Sequence, residues 1–564
     1  MEQRIKLLIL FFFIGFLTVI GKLFYWQVLN NRSLVALAEN QYFTSEIIPA
    51  SRGEIFSSDN FPLVMDRKSY TLTVDPQNLK ISPLSLFQEL GQCIQKDSWQ
   101  LSDKDEALFA NKNLRRLVLA SGLDRETKEN IEKLEIAGLN FEEKEIRFYP
   151  EASVSAHLLG FVGKDEKGNP KGYFGLEGYY DSEIAGQSGS RLFEKDALGR
   201  PVPLSEESLE PSFPGRSLIL NLDRPLQFLV EKRLQSGVEK YQASSGLVVI
   251  MNPKNGKIVA MASFPNYDPA HYYLFNPELY RNPVISFSFE PGSIFKVIVM
   301  AAGIDSGAIT ADDICSFCGG PKKIGEYTIK TWNDKYYPNS SMTDILVHSD
   351  NVGMTYIGEK LGVKRLYDYL KKFGFGEITG IDLQGEFSPD LRQEKDWREI
   401  DLATASFGQG IAVTPIQILS AVAAIANKGE LYQPQVVWSI VENNNSTVEI
   451  KPVKKGRPIS AKTAEIVTQM MVQAVERGEA KWARPKDYKI AGKTGTAQIP
   501  IAGHYDPEKT VASFIGFAPA DNPSFVMLVS LVGPKTSPWG SETAAPLWFD
   551  ISRDIFRLWK IPPS

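Results

Sequence analysis

Glu290-Pro291-Gly292-Ser293-Ile294-Phe295-Lys296 is continued by the apolar run Val297-Ile298-Val299-Met300-Ala301-Ala302-Gly303. Pro291 and Gly292 end the preceding segment and the run after them has helix length, which predicts a helix with Ser293 at or near its N-terminus and Lys296 one turn on. Residues three apart on a helix share a face. A serine hydroxyl is a poor nucleophile at neutral pH unless a base lies within hydrogen-bond reach, and an amine made neutral by a dry pocket can be that base. The free N–H groups and positive potential of a helix N-terminus suit a developing oxyanion. Ser-x-x-Lys alone arises by chance about once or twice in a chain of this length, so the reading needs support from elsewhere.

That support lies downstream. Ser349-Asp350-Asn351 falls in a polar turn after Met342 to His348, and Tyr488 to Gln498 reads as a strand carrying Lys493-Thr494-Gly495-Thr496. The surrounding pattern predicts a strand at Ser217 to Asp223 and a helix opening at Arg224-Pro225 and running to about Val238. A β-hairpin follows, Gly246 to Asn252 and Lys257 to Ser263 about an Asn255-Gly256 turn. Strands at Val511 to Phe517 and Phe525 to Val532 precede a final helix from Ala545 to Leu558 that would pack on the sheet.

Composition narrows the chemistry. The 564 residues have a net charge of -5 and a pI near 5.7, so no basic field invites nucleic acid. Three cysteines exclude a disulfide-built scaffold, and four histidines leave little for a metal site. No cofactor is expected.

At the N-terminus, Arg4 and Lys6 precede Leu7 to Gly21, apolar or small throughout except for Thr18. With Lys22 snorkelling, the run extends to Leu29 past Tyr25 and Trp26, longer than the roughly 20 residues a span needs. The positive residues put the N-terminus in the cytoplasm and the rest of the chain outside. Ala36-Leu37-Ala38 resembles a cleavage site but lies too far beyond the apolar run, which favours an uncleaved anchor. From Gln41 to about Pro214 come short strands, turns and a few helices, including Tyr70 to Val74 as a strand and a charged, mostly helical stretch from Leu101 to Ile136. His157 sits between apolar residues and reads as a hydrogen-bonded structural histidine. Asp196-Ala197-Leu198-Gly199-Arg200 and the following Pro-rich segment close this module, with a boundary near Gly215.

Ser-x-x-Lys, Ser-x-Asn and Lys-Thr-Gly in this order, together with Arg52-Gly53-x-Ile55, Ala156-His157 to Gly163, Gly175-Leu176-Glu177, and Phe407-Gly408-Gln409-Gly410 before Val413-Thr414-Pro415, closely resemble the class B penicillin-binding proteins. These are the monofunctional D,D-transpeptidases of peptidoglycan synthesis, and the resemblance covers nearly the full length. It implies an α+β fold with a single N-terminal transmembrane helix, an extended mixed α/β pedestal and a transpeptidase domain related to the serine β-lactamases, an antiparallel sheet flanked by helices. The corresponding divisions are residues 1–29, 30–214 (the pedestal, or dimerisation, domain) and 215–564. It implies a single-pass protein of the bacterial plasma membrane with its catalytic domain outside.

The resemblance also implies roles. Ser293 attacks the carbonyl of a terminal D-Ala-D-Ala bond in a peptidoglycan stem peptide, and an amine of a neighbouring stem resolves the ester. Lys296 takes the serine proton, neutral because of burial beside a second cation, Lys493. Ser349 relays a proton, since a hydroxyl both donates and accepts, and Asn351 holds Lys296 and the substrate backbone. Asp350 points away. Thr494 and Thr496 bind the terminal carboxylate of a substrate or a β-lactam, and Gly495 leaves room for the substrate to lie along the strand. The backbone N–H groups of Ser293 and Thr496 form the oxyanion hole.

Rivals fit less well. No Gly-x-Ser-x-Gly elbow supports Ser-His-Asp chemistry. A β-lactamase or carboxypeptidase would share the three motifs without the anchor and pedestal. A silent division scaffold would have lost Ser293, Lys296 or Lys493, and a β-lactam sensor would need a signalling domain before the span. The N-terminal segments look more like the division branch than the side-wall elongation branch, and either implies a membrane-embedded glycan polymerase of the SEDS family as partner. Where many relatives have Asp-Arg-Asn-Gly, this chain has Ser58-Asp59-Asn60-Phe61, which puts the turn there in question. Cys315 and Cys318 form a tight local disulfide or stand as two thiols in a loop, the extracytoplasmic location favouring the disulfide; Cys93 is expected to be buried and unpaired.

Overall fold

The structure, a computed structural model, describes residues 1–94, 99–111, 114–194, 202, 208–501 and 504–563; the expected closing segment Asp196–Arg200 lies outside the described residues. The chain forms two compact units, Met1–Arg52 with Ala185–Gly215, and Gly53–Ile184 with Arg216–Ser564.

In the first unit, helix α1 (Glu2–Phe24) continues through a wider helical turn at Tyr25–Leu29. Glu2–Leu29 is long and apolar enough to cross a membrane. Its large apolar side chains, Phe11, Phe13, Leu17 and Phe24 among them, are exposed. Phe43–Ile48 pairs antiparallel with Gly189–Glu194, which pairs with Ser208–Glu210.

In the second unit, one sheet ties the early residues to the late ones. Pro62–Val74 pairs with both Leu117–Leu123 and Leu139–Phe148, and the sheet runs on through Ile55–Phe56 to Ser217–Leu220, paired in parallel, and Val437–Val441. The charged stretch from Leu101 to Ile136, expected to be mostly helical, contains the strand Leu117–Leu123 between the helices Asp103–Phe109 and Arg125–Glu132. Residues 117–123 themselves carry no charge; Ala120 and Leu123 are buried there in a small core with Leu72 and Val74, so this run pairs with an existing strand inside the charged stretch. Arg147 is fixed by Glu177 Oε1 at 2.7 Å, Asp66 Oδ1 at 2.8 Å and the Gly53 carbonyl at 2.7 Å. The turn at Ser58–Phe61 forms around Asn60, at φ +60°, and places the Phe61 ring 3.8 Å under the Arg224 guanidinium.

Helix α2 (Arg224–Tyr241), capped by Asp223, precedes the hairpin β1 (Ser245–Met251) and β2 (Ile258–Phe264). Helices α3 (Lys296–Asp305), α4 (Met342–Val347), α5 (Asn351–Lys372, interrupted at Gly362), α6 (Pro415–Ala426) and α7 (Ala461–Arg477) follow. Strands β3 (Ala491–Ile501), β4 (His504–Ala518) and β5 (Phe525–Val532) and helix α8 (Ala544–Leu558) complete the unit. The sheet is antiparallel, in the order β2-β1-β5-β4-β3. Its strands read as continuous apolar runs because both faces are covered. Val248 and Ile250 pack with α2 and α8, while Leu247 and Val249 face the other core, which includes α6 and α3. Strand β3 is left at the edge, which is where the site lies.

Candidate active site

Gly292–Phe295 makes one tight helical turn that feeds directly into α3, so Ser293 stands in the first turn, half-buried, with Lys296 one turn on. The turn is clamped from behind. Gly292 adopts φ +55° and its N–H donates to the Gly408 carbonyl at 2.9 Å. Gly408, at φ +82°, passes so close that a Cβ there would stand 2.1 Å from the Gly292 carbonyl oxygen. The Gly410 N–H donates to Glu290 Oε1 at 3.0 Å, and Phe289 and Val413 exchange backbone hydrogen bonds. The Phe407–Gly410 segment, legible in the sequence only as a family mark, is the backing of the nucleophile turn.

The three motifs meet at one atom. Ser349 Oγ donates to Ser293 Oγ at 3.0 Å and accepts from Lys493 Nζ at 3.0 Å and Lys296 Nζ at 3.3 Å. Ser349 is held in the left-handed region, φ +54°, between α4 and α5, a costly conformation for a residue with a Cβ. Lys296 Nζ also donates to the Ser349 carbonyl at 2.6 Å and Asn351 Oδ1 at 2.7 Å, and Asn351 Nδ2 reaches the Lys330 carbonyl at 3.1 Å. The link from Ser293 to Lys296 passes through Ser349. Asp350, expected to point away, is buried: its Oδ1 caps α5 on the N–H groups of Val352 and Gly353.

Both lysines are buried, Lys296 completely and Lys493 at 3% exposure, with neutral oxygens as hydrogen-bond partners. Burial, reinforced by the Lys493 charge, pushes the Lys296 amine well below the ordinary lysine range. Burial also brings Lys493 down to about 8. The site therefore favours one neutral amine and one ammonium near pH 7.

On edge strand β3, Thr494 and Thr496 alternate with Lys493 and Gly495. Thr494 Oγ1 accepts from Lys493 Nζ at 3.2 Å, and Thr496 Oγ1 accepts from the Gly540 N–H at 3.0 Å. Space around Gly495 is closed on the side of the nucleophile turn: an added Cβ would meet Ile294 Cγ2 at 2.8 Å, with Pro291 O and Ile294 N at 3.3 Å. Its missing side chain lets the strand approach Ser293.

Two tryptophans went unremarked in the sequence. Trp332 Nε1 donates to the His348 carbonyl at 3.4 Å on the Ser349 side, Trp539 precedes Gly540 on the β3 side, and their rings meet with centroids 5.0 Å apart. His348 stacks flat on Tyr337 at 3.8 Å. His157 lies outside the site, edge-on to Tyr267, and burial pushes it down to about 4, so it is neutral. Cys315 and Cys318 are disulfide-bonded. Cys93 is free and only half-buried, because it sits near the end of a short helix whose apolar face presents Leu86, Phe87 and Leu90.

A serine on a helix start, two buried lysines and a hydroxyl bridge beside an open strand edge define a serine acyltransferase of the penicillin-recognising class. Residues 246–556 match the penicillin binding protein transpeptidase domain and residues 47–220 the penicillin-binding protein dimerisation domain. The chain is 32% identical to stage V sporulation protein D of Bacillus subtilis, over 98% of this chain and 85% of that protein. To peptidoglycan D,D-transpeptidase FtsI of Escherichia coli K12 it is 29% identical, over 97% and 90%. It superposes on the crystal structure of penicillin binding protein 2X from Streptococcus thermophilus with a TM-score of 0.76 at 25% identity, covering 91% of this chain and 80% of that one. The chain belongs to the penicillin-binding protein transpeptidase family, and its two matched regions make it a class B member.

Proposed function

We propose that this protein cross-links peptidoglycan stem peptides, with Ser293 as nucleophile. Ser293 Oγ adds to the carbonyl of the penultimate D-alanine, its proton passing by way of the Ser349 hydroxyl to neutral Lys296. The tetrahedral oxyanion is held by the Ser293 and Thr496 N–H groups. Collapse breaks the peptide bond, the terminal D-alanine leaves as the amine with the proton returned, and an acyl-serine ester remains. An amine of a neighbouring stem then displaces Ser293. Lys493, kept as the ammonium, and the Thr494 and Thr496 hydroxyls receive the substrate carboxylate, Asn351 positions Lys296 and the peptide backbone, and Gly495 lets the strand and the nucleophile turn close together. The observation that carries this reading is the single Ser349 hydroxyl within 3.3 Å of Ser293, Lys296 and Lys493.

A β-lactam, whose strained amide offers the same carbonyl and carboxylate, acylates Ser293 and is released slowly. Intact mass after exposure to a labelled penicillin tests this. One stable adduct on the wild type, absent from Ser293→Ala and Lys296→Ala, supports the reading; an adduct that survives loss of Ser293 overturns it.

Residues 1–29 serve as cytoplasmic stub and anchor, 30–214 as pedestal and 215–564 as transpeptidase domain, with the catalytic region outside the plasma membrane and a SEDS-family polymerase as partner. The role is septal, supported by the division-like N-terminal segments. Filamentous cells on depletion are the expected phenotype, and rounded cells would point to elongation. The name of the Bacillus subtilis relative supports a second reading, action in sporulation, for which depletion would cut spore yield without filamentation.

A further inference from the structure

Two indoles reach toward each other from the two walls of the site. Trp332 belongs to the wall of Ser349. Its Nε1 donates to the His348 carbonyl at 3.4 Å, and two residues before it the Lys330 carbonyl accepts from Asn351 Nδ2 at 3.1 Å. Trp539 belongs to the wall of β3. The next residue, Gly540, donates its N–H to Thr496 Oγ1 at 3.0 Å, and it packs so closely that a Cβ there would stand 2.2 Å from the Gly495 carbonyl oxygen. The Trp539 carbonyl accepts from Thr543 Oγ1 at 2.8 Å, which fixes the base of the ring. The rings meet with centroids 5.0 Å apart and planes inclined at 59°, yet Trp332 stays 42% and Trp539 36% exposed.

Half-open indoles on fixed backbone offer a ligand a large apolar surface at little entropic cost, and tryptophan is over-represented where binding energy concentrates. Their place decides which part of a ligand meets them. With the donor carbonyl at the Ser293 and Thr496 N–H groups, the acyl chain passes between Asn351 and β3. Trp332 follows the residue that Asn351 bonds, and Trp539 precedes the one that Thr496 bonds. A side chain on the acyl group therefore leaves that passage against the two rings. We propose that Trp332 and Trp539 form a clamp for a flat apolar side chain on the acyl donor, and so set which donors acylate Ser293 fastest. The clamp rests on the transpeptidase reading above and adds two residues that none of the three motifs contains. A pair that only braced the two walls would act on every donor alike.

The test compares two penicillins that differ only in the ring, one with a phenylacetamido and one with an acetamido side chain, on the full chain in detergent. Second-order rates of Ser293 acylation are read by intact mass for wild type, Trp332→Ala, Trp539→Ala, Trp332→Phe and Trp539→Phe. The wild type should prefer the phenyl compound. The ratio of the two rates should fall about tenfold in each Ala variant, whatever happens to both rates together. Each Phe variant keeps a ring and should keep most of the ratio. Trp332→Leu or Trp539→Leu, which fills space without a ring, takes the place of an Ala variant that fails to fold. A wild type without preference overturns the proposal, as does an Ala or Leu variant that keeps the wild-type ratio, or a Phe variant that loses as much as Ala. Failure of both compounds to acylate Ser293 in the wild type would instead overturn the transpeptidase reading, and this inference with it.

Discussion

The Ser349 hydroxyl donates a hydrogen bond to Ser293 Oγ at 3.0 Å, across 56 residues of sequence. It is also the atom through which Ser293 reaches Lys296. Ser349→Ala should therefore leave the nucleophile in place and remove its proton path. The second-order rate of penicillin acylation should fall by about 10²–10⁴, with thermal unfolding little changed. A variant that acylates within a few-fold of wild type would mean that Lys296 takes the proton directly.

The buried Lys493 amine works against stability. In the unfolded chain it keeps its proton to about 10.5, whereas the folded chain gives it up at about 8. The unfolded state thus binds more protons between these values, so stability rises with pH there and the full cost is borne below pH 8. Lys493→Met should abolish acylation yet raise stability at pH 7 by about 3 kcal/mol at most. The gain over wild type should shrink as pH climbs through 8 toward 10. Melting curves for both proteins at several pH values would show it.

The nucleophile turn tolerates no side chain on its two neighbouring glycines. Gly408→Ala meets the Gly292 carbonyl at 2.1 Å at a positive φ, and Gly495→Ala meets Ile294 Cγ2 at 2.8 Å. Each should destabilise by about 1–3 kcal/mol, Gly408→Ala the more, because backbone cannot move aside as the end of a side chain can. Both should slow acylation as well. Denaturant unfolding read beside acylation rates would separate the two effects.

Thiol titration of the unreduced, denatured chain should find one thiol, that of Cys93, and three after reduction. The disulfide closes a very short loop, so Cys315→Ser with Cys318→Ser should cost about 2 kcal/mol. The loop carries Cys315 N–H to the Ser340 carbonyl at 2.9 Å and Tyr337 N–H to the Cys318 carbonyl at 3.1 Å. Tyr337 stacks on His348, so loss of the bridge should also slow acylation modestly, by loosening the wall beside Ser349.

What the sequence determined by itself was local. The Asn255-Gly256 turn, the Pro and Gly at the start of the nucleophile helix, the apolar strands of the sheet and the apolar N-terminal helix were all legible. Each is set by backbone preference or periodicity within a few residues. The three motifs could be recognised in order, though not what joined them. The convergence of Ser293, Ser349 and Lys493 depends on α3 and α7 packing beside the edge strand, and that is decided by the shared apolar core.

The same reason hid the rest. Gly495 read as space for a substrate to lie along the strand, and the structure adds that a Cβ there would lie 2.8 Å from Ile294 Cγ2. Leu117–Leu123 is an uncharged run inside a charged stretch that read as mostly helical, and it became a strand because Pro62–Val74 offered it an edge. Local preference writes elements, whereas the field and the clearances at an active site are sums over neighbours from distant parts of the chain, which only the tertiary structure supplies.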